Sequence, residues 1–260
     1  MKNKLSLFAV PYVGWMSIFV VAPIIIMVVY AFSTAAGDFT LENFARMGTY
    51  TAVFTRSFKL AIIATLIALL IGYPVSYMLS KEGPQVQRIA MVLIMLPMWM
   101  NFLLRTYSWM AILENNGLLN QLFRKIGVIA LYNSIFGTDI SFFRMINTQG
   151  AVVLGMVYNF LPFMVLQINT ALCKMDPSLL EASADLGANR VQTFRRVTLP
   201  LSLPGVINGI TLVFLPAVSS FFIPKLLGGG QYFLIGNMIE NQFITVGEWN
   251  FGSAISMIMA

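Results

Sequence analysis

The chain has 260 residues, 58% of them hydrophobic and only 10% charged, with a mean hydropathy of +0.80. Soluble domains carry about 25% charged residues, so the composition excludes a soluble domain and points to a membrane protein. With no histidine and one cysteine, Cys173, a disulfide, a zinc site and a Cys/His catalytic pair are excluded within the chain, and the net charge of +6 is too dispersed for nucleic acid. No G-x-x-x-x-G-K-[ST] phosphate loop occurs, so any ATP that drives this protein binds a different subunit.

Taken in order, residues 5–32 form an uncharged run of 28 behind Lys2 and Lys4. Ser33, Thr34 and Ala35 resemble a signal-peptide cleavage site. A signal's apolar stretch runs only about 7–15 residues, however, whereas about 20 cross a bilayer. The run is therefore read as an uncleaved first span, with Pro11 at its start and Pro23 at a bend. Residues 33–59 read as polar and irregular, and 60–80 as a second span, with Gly72 and Pro74 near its end. A tight polar turn at 81–88 leads to a third span at 89–113, which holds Pro97 and one charge, Arg105. Residues 114–149 are a long polar connection with an amphipathic piece at 118–129. A fourth span at 150–172 and a fifth at 206–223 enclose the polar stretch 173–205. Within 224–252, the apolar run 232–244 after three glycines predicts a re-entrant or interface-lying helix. Residues 253–260 are too few to cross a membrane and read as the start of a sixth span, with the chain expected to continue beyond them. The expected fold is all-α: one polytopic domain over 1–260, with five complete spans and the opening of another.

Orientation follows from charge. With the N-terminus inside, cytoplasmic segments hold eight Lys or Arg and external ones seven, but the cytoplasmic loops are shorter in total. Positive charge in short loops weighs most, so a cytoplasmic N-terminus is favoured.

The stretch 176–204, DPSLLEASADLGANRVQTFRRVTLPLSLP, is tightly patterned and reads as two short helices joined at a glycine. Asp176 and Pro177 suit an N-cap and first helical position, and Ser178 with Glu181 offers a capping box one register later. Leu179, Ala182, Ser183 and Leu186 share one helical face. Gly187 supplies a left-handed stop. A basic second helix from about Asn189 carries Val191, Phe194 and Val197, and Leu199 with Pro200 is expected to end it. The hairpin is too polar for lipid and too apolar on one face for water, so a protein should cover it. A solvated loop in which Glu181 only completes its own cap is the alternative.

Glu181, Ala182, Gly187, Leu199 and Pro200 stand at the spacing E-A-A-x-x-x-G-x(9)-I-x-L-P, with Ser183 for the second alanine and Val197 for the isoleucine. In this the chain resembles the permease subunits of ABC importers, whose cytoplasmic loop with that motif docks on an ATPase. The resemblance implies a type I importer permease fold in a bacterial inner membrane. It also implies docking through Glu181, Ala182, Ser183, Asp185, Leu186, Gly187, Arg190, Leu199 and Pro200. Partners implied are a dimer of ABC ATPase subunits carrying ATP and Mg, a second homologous permease, and an external substrate-binding protein. Further segments, LP-x-W-x-N-x-L-x-R-x-Y in the third span, LPFM at 161–164 and LLGGG…LIGNMIENQF, resemble the first permease of spermidine/putrescine importers, from about Tyr12 to Met257. Permeases for iron, sulfate or thiamine share parts of this pattern and stay open as alternatives, as does an ion-coupled secondary transporter.

In the third span Pro97, Asn101, Arg105 and Trp109 recur every four residues, one face of a straight helix. Such a stripe faces a water-filled path or the bundle, since polar groups in lipid are costly; Arg105 alternatively snorkels outward. Tyr158 on the fourth span, with Asn208 and Thr211 on the fifth, extends the candidate path, although hydrogen bonding between helices is the more common role for any single polar residue there. Amines suit aromatic faces, which Trp99, Tyr107, Trp109 and Tyr158 provide. The predicted spans hold no acidic residue.

Overall fold

The computed structural model describes residues 10–259; Lys2, Lys4, the start of the first predicted span and Ala260 lie outside the described residues. The described residues divide into two compact units, one formed by 10–55 together with 234–259, the other by 56–233.

In the first unit, helix α1 (Val10–Ala31) is apolar along almost its whole length and most of its side chains are exposed, Ala31 being fully buried. A π-helical turn, Ser17–Val21, precedes Pro23 and widens the helix where the proline has no N–H to donate. The first described segment after α1 is not irregular throughout: α2 (Glu42–Arg46) and a 3₁₀ turn follow, and buried Asn43 donates to the carbonyls of Ala31 (3.0 Å) and Ser33 (3.1 Å). Later in the chain, α13 (Ile235–Glu240) runs into a π-helical turn that ends at left-handed Gly247. Ile235 and Met238 of the predicted 232–244 helix are buried. Helix α14 (Trp249–Met259) packs along α1, with Asn250 donating to the Ser33 carbonyl at 2.8 Å. Arg46 lies over the Phe251 ring and pairs with Glu248 at 2.9 Å.

The second unit takes in most of α3 (Thr51–Leu79), whose 29 residues begin nine before the predicted start. Thr55, Arg56 and Lys59 lower the hydropathy of its first turns, but none of them breaks a helix. The predicted third span is broken. Helix α4 (Pro84–Met95) tightens into the 3₁₀ turn Leu96–Trp99, Met100 is extended, and α5 (Phe102–Leu113) leaves at 91°. Asn101 makes the break: its side chain accepts from the N–H groups of Leu103 (2.9 Å) and Leu104 (3.4 Å), capping a new helix. The even four-residue stripe expected across Pro97, Asn101, Arg105 and Trp109 is thereby interrupted.

The long connection is ordered by α6 (Leu118–Lys125) and α7 (Val128–Phe136), separated by left-handed Gly127. Fully buried Asn120 exchanges both hydrogen bonds with the Phe143 backbone, at 3.0 and 2.9 Å. Helix α8 (Gln149–Cys173) is capped by Thr148 and matches the predicted fourth span. Two short helices, α9 (Pro177–Asp185) and α10 (Arg190–Thr193), precede α11 (Leu199–Ser219), and α12 (Phe222–Leu227) packs on α8.

The core of this unit is the α8–α11 pair against α3. Met164 is fully buried between two glycines. A Cβ at Gly72 would lie 3.0 Å from its Cγ, and one at Gly209 would lie 2.7 Å from its Sδ. A Cβ at Gly205 would come within 2.5 Å of Ala171 and 2.7 Å of the Gln167 carbonyl. Small residues at every fourth position let these backbones approach closely, which in lipid is a main source of helix–helix attraction.

Candidate functional site

The hairpin of α9 and α10 is held by its own local chemistry. Asp176 caps α9, accepting from the Ser178 N–H at 3.0 Å, and these bonds to the charged form hold its carboxyl below the ordinary aspartate range. The Ser178–Glu181 capping box does not form, because Asp176 starts the helix one register earlier and places Ser178 inside it. Gly187 sits at φ +78°; the Ala188 N–H reaches the Ser183 carbonyl (3.1 Å) and the Gly187 N–H that of Ala184 (2.8 Å), a complete Schellman stop. A capping box does form at Asn189 and Gln192, both bonds 2.9 Å long. Across the hairpin the Ser183 and Thr193 hydroxyls meet at 2.6 Å.

Leu199 and Pro200 do not end the second helix. A π-helical turn, Phe194–Thr198, joins α10 to α11 without a break, and the Leu199 N–H donates to the Phe194 carbonyl. The wider turn shifts the hydrogen-bond register just where Pro200 lacks a donor, so the ring enters the first turn of α11 instead of breaking the rod. The hairpin's second arm and α11 are thus one helix of 30 residues.

Of the sequence-derived docking residues, Glu181, Ala182, Asp185, Leu186, Gly187, Arg190, Leu199 and Pro200 are exposed and Ser183 is buried. Leu186 is 88% exposed and Val191 65%. Glu181 makes no hydrogen bond or ion pair among the described residues, so capping does not explain it. Leu179, Ala182 and Leu186 with Gln192 and Val197 border a depression of about 520 Å³ between the arms.

Phe194 does not share an outward face with Val191. Its ring meets Tyr77 edge-on at 5.2 Å and Tyr73 at 5.9 Å; the Tyr73 hydroxyl bonds Ser202 at 2.9 Å, and the Lys81 ammonium lies 4.0 Å from the Tyr77 ring centre. The base of the hairpin is therefore fastened to the end of α3. Tyr73 and Tyr77, four apart near the end of a predicted span, were the available signal for that contact; the Asn189-x-x-Gln192 spacing was the signal for the second cap.

The path candidates fall into separate places. Arg105, Trp109 and Tyr158 come together: Trp109 meets Tyr158 edge-on at 5.2 Å, and the Arg105 guanidinium lies 5.7 Å from the Tyr158 ring centre. Arg105 is only 8% exposed and turns back to donate to the Pro97 carbonyl at 2.8 Å, so it does not snorkel outward. Trp99 and Tyr107 are exposed, and Asn101 is spent on its cap. Asn208 lines a cleft of about 460 Å³ with Gln167, Lys174 and Asp176 at the foot of the hairpin. The Thr211 hydroxyl bonds its own helix at the Ile207 carbonyl.

Residues 68–260 match the family model described as binding-protein-dependent transport system inner membrane component. The chain is 38% identical to the spermidine/putrescine transport system permease protein PotB of Haemophilus influenzae, over 98% of this chain and 89% of that protein. It is equally identical to PotB of Escherichia coli K12, over 96% of this chain and 90% of that one. Among solved structures, a bacterial alginate ABC transporter in complex with a pentasaccharide-bound periplasmic protein superposes with TM-score 0.72 at 18% identity, covering 100% of this chain and 90% of that one.

Proposed function

The chain belongs to the binding-protein-dependent transport system inner membrane component family, and on that premise we propose that it forms half of the path by which an ATP-driven importer carries spermidine or putrescine across the membrane. It is a multi-pass membrane protein with the fold of type I ABC importer permeases. Its relatives named for polyamine transport match nearly end to end, which supports that substrate class over iron, sulfate or thiamine. In the proposed assembly, a second homologous permease completes the path, a binding protein delivers substrate outside, and two ATPase subunits carrying ATP and Mg bind inside. With the N-terminus cytoplasmic, the α9–α10 hairpin faces those ATPases.

The observation that carries the reading is that the hairpin satisfies its own backbone and still presents Leu186, Val191 and an unpartnered Glu181 outward. A rigid, pre-capped element with an apolar tip loses little entropy on docking. Because its second arm is continuous with α11 and its base is fastened to α3 by Phe194, movement of the docked tip tilts spans instead of bending a loop. ATP-driven closure of the ATPases can then shift the permease between outward and inward access, provided the grip on the hairpin differs between the two states.

The test is co-purification with the ATPase followed by uptake of spermidine, putrescine, sulfate, iron and thiamine in reconstituted vesicles. The expected result is ATP-dependent uptake of a polyamine alone, with Glu181→Ala abolishing ATPase capture at normal membrane level. Labelling of a cysteine placed at Leu186 from the outer surface would refute the orientation and the docking role together.

A further inference from the structure

Arg105 is the only charged side chain buried among the described residues. A cation at such depth ordinarily meets a carboxylate, and among the described residues none pairs with it. What surrounds it is the carbonyl of Pro97, at 2.8 Å from Nη1, and the rings of Phe102 and Tyr158, centred 5.8 and 5.7 Å from the guanidinium carbon. Trp109, edge-on to Tyr158, holds that ring in place. A backbone acceptor beside the elbow, flanked by aromatic faces and free of acid, is what an alkylammonium requires where no carboxylate is offered.

The guanidinium fills this site loosely. Both ring distances lie near the outer limit of about 6 Å for cation–π attraction. Nε has no hydrogen-bond partner, and Nη1 bonds a single carbonyl. A brace across the elbow accounts for the Pro97 bond but not for two ring faces turned to the same charge.

We propose that the Pro97 carbonyl and the rings of Phe102 and Tyr158 form a binding site for an alkylammonium group, which Arg105 occupies as a tethered cation until a substrate amine displaces it. The site rests on the polyamine reading for its substrate but not for its chemistry. The resident guanidinium shares the half-buried Pro97 carbonyl with the Met100 N–H, which reaches it at 3.3 Å, and sets a threshold that an incoming ammonium has to exceed.

The experiment uses the complete importer in proteoliposomes, with Arg105→Gln and Arg105→Lys compared with the unmodified chain. Removing the tethered cation should lower the KM for spermidine by about threefold or more, while Arg105→Lys leaves it within about twofold. Adding Tyr158→Leu to Arg105→Gln should cancel the gain. Binding of n-butylammonium, followed by tryptophan fluorescence, should tighten by about the same factor in Arg105→Gln, and this arm reads the site even if no polyamine is carried. Tightening without polyamine uptake sinks the substrate assignment and leaves the site. Uptake with an unchanged or higher KM in Arg105→Gln, and no tightening, overturns the site. So does failure of both Arg105→Gln and Arg105→Met to insert while Arg105→Lys inserts, which would make Arg105 a brace.

Discussion

Helices α8 and α11 and the hairpin between them dispose of their apolar surface in opposite ways. Along the helix pair, Met164, Ile168 and Val213 are buried and the closest approaches are made by glycines. On the hairpin, backbone groups are satisfied by Asp176, Gly187 and the Asn189–Gln192 box, and the apolar residues Leu186 and Val191 stay exposed. One region is stable because it is packed, the other because it is capped. A packed element fails when a residue grows; a capped element keeps its shape when its outer face changes and loses only what that face binds.

The same substitution at two glycines separates the cases most sharply. Gly205→Leu drives a side chain into Ala171 and the Gln167 carbonyl; overpacking of this kind costs roughly 1–3 kcal/mol or more, and membrane level and thermal stability in detergent should fall. At Gly187, a Cβ meets nothing within 4 Å, and only the φ of +78° resists it. Gly187→Leu costs about 1 kcal/mol of backbone strain, so the protein should accumulate normally and lose ATPase capture. Equal losses of protein level at both sites would erase the distinction.

Leu186→Asp comes next. An 88% exposed leucine has no packing to lose within this chain, so stability should be unchanged, while capture of the ATPase weakens about tenfold or more, as for a truncated hot spot. Unchanged capture would move the contact elsewhere on the hairpin. Ser183→Ala removes the 2.6 Å hydroxyl pair with Thr193 and should cost about 1 kcal/mol, seen as faster amide exchange across residues 183–193. No change in exchange would show that the two caps alone close the hairpin.

The smallest effect is that of pH. Asp176 titrates below its ordinary value of 3.8 because its charged form accepts from Ser178. The contribution of the cap is therefore complete above the ordinary value and is lost only as pH falls through the lower, folded one. Between about pH 7 and pH 5, well above any carboxylate midpoint of this kind, amide exchange in α9 should stay constant apart from its intrinsic pH dependence. Loosening within that window would break the assignment of Asp176 as the cap.

The sequence was most legible where the signal is local. Residues 150–172 read as a span from hydropathy, one residue short at each end of the helix Gln149–Cys173, and Gly187 read as a left-handed stop because glycine takes that conformation at the end of a helix. The capping box was placed at Ser178 and Glu181 because the spacing fits; it lies instead at Asn189 and Gln192, since Asp176 had already capped the first helix. Arg105 looked like part of a stripe because periodicity presumes a straight helix, and Asn101 bends this one by 91°.

By itself, the sequence determined that the chain is apolar enough to cross a membrane repeatedly, that a capped polar hairpin lies between its fourth and fifth predicted spans, and which family motif that hairpin carries. These follow from hydropathy, capping and turn chemistry, which act over a few residues. Only the tertiary structure decided that Pro200 continues a helix, that Phe194 ties the hairpin to α3, that Gly72 and Gly209 enclose Met164, and that Arg105 rests on a carbonyl and two rings. The Phe194 and Met164 contacts and the Tyr158 ring beside Arg105 depend on what a distant stretch of chain brings within a few ångströms, while the passage through Pro200 depends on a π-helical turn that no single-residue propensity encodes.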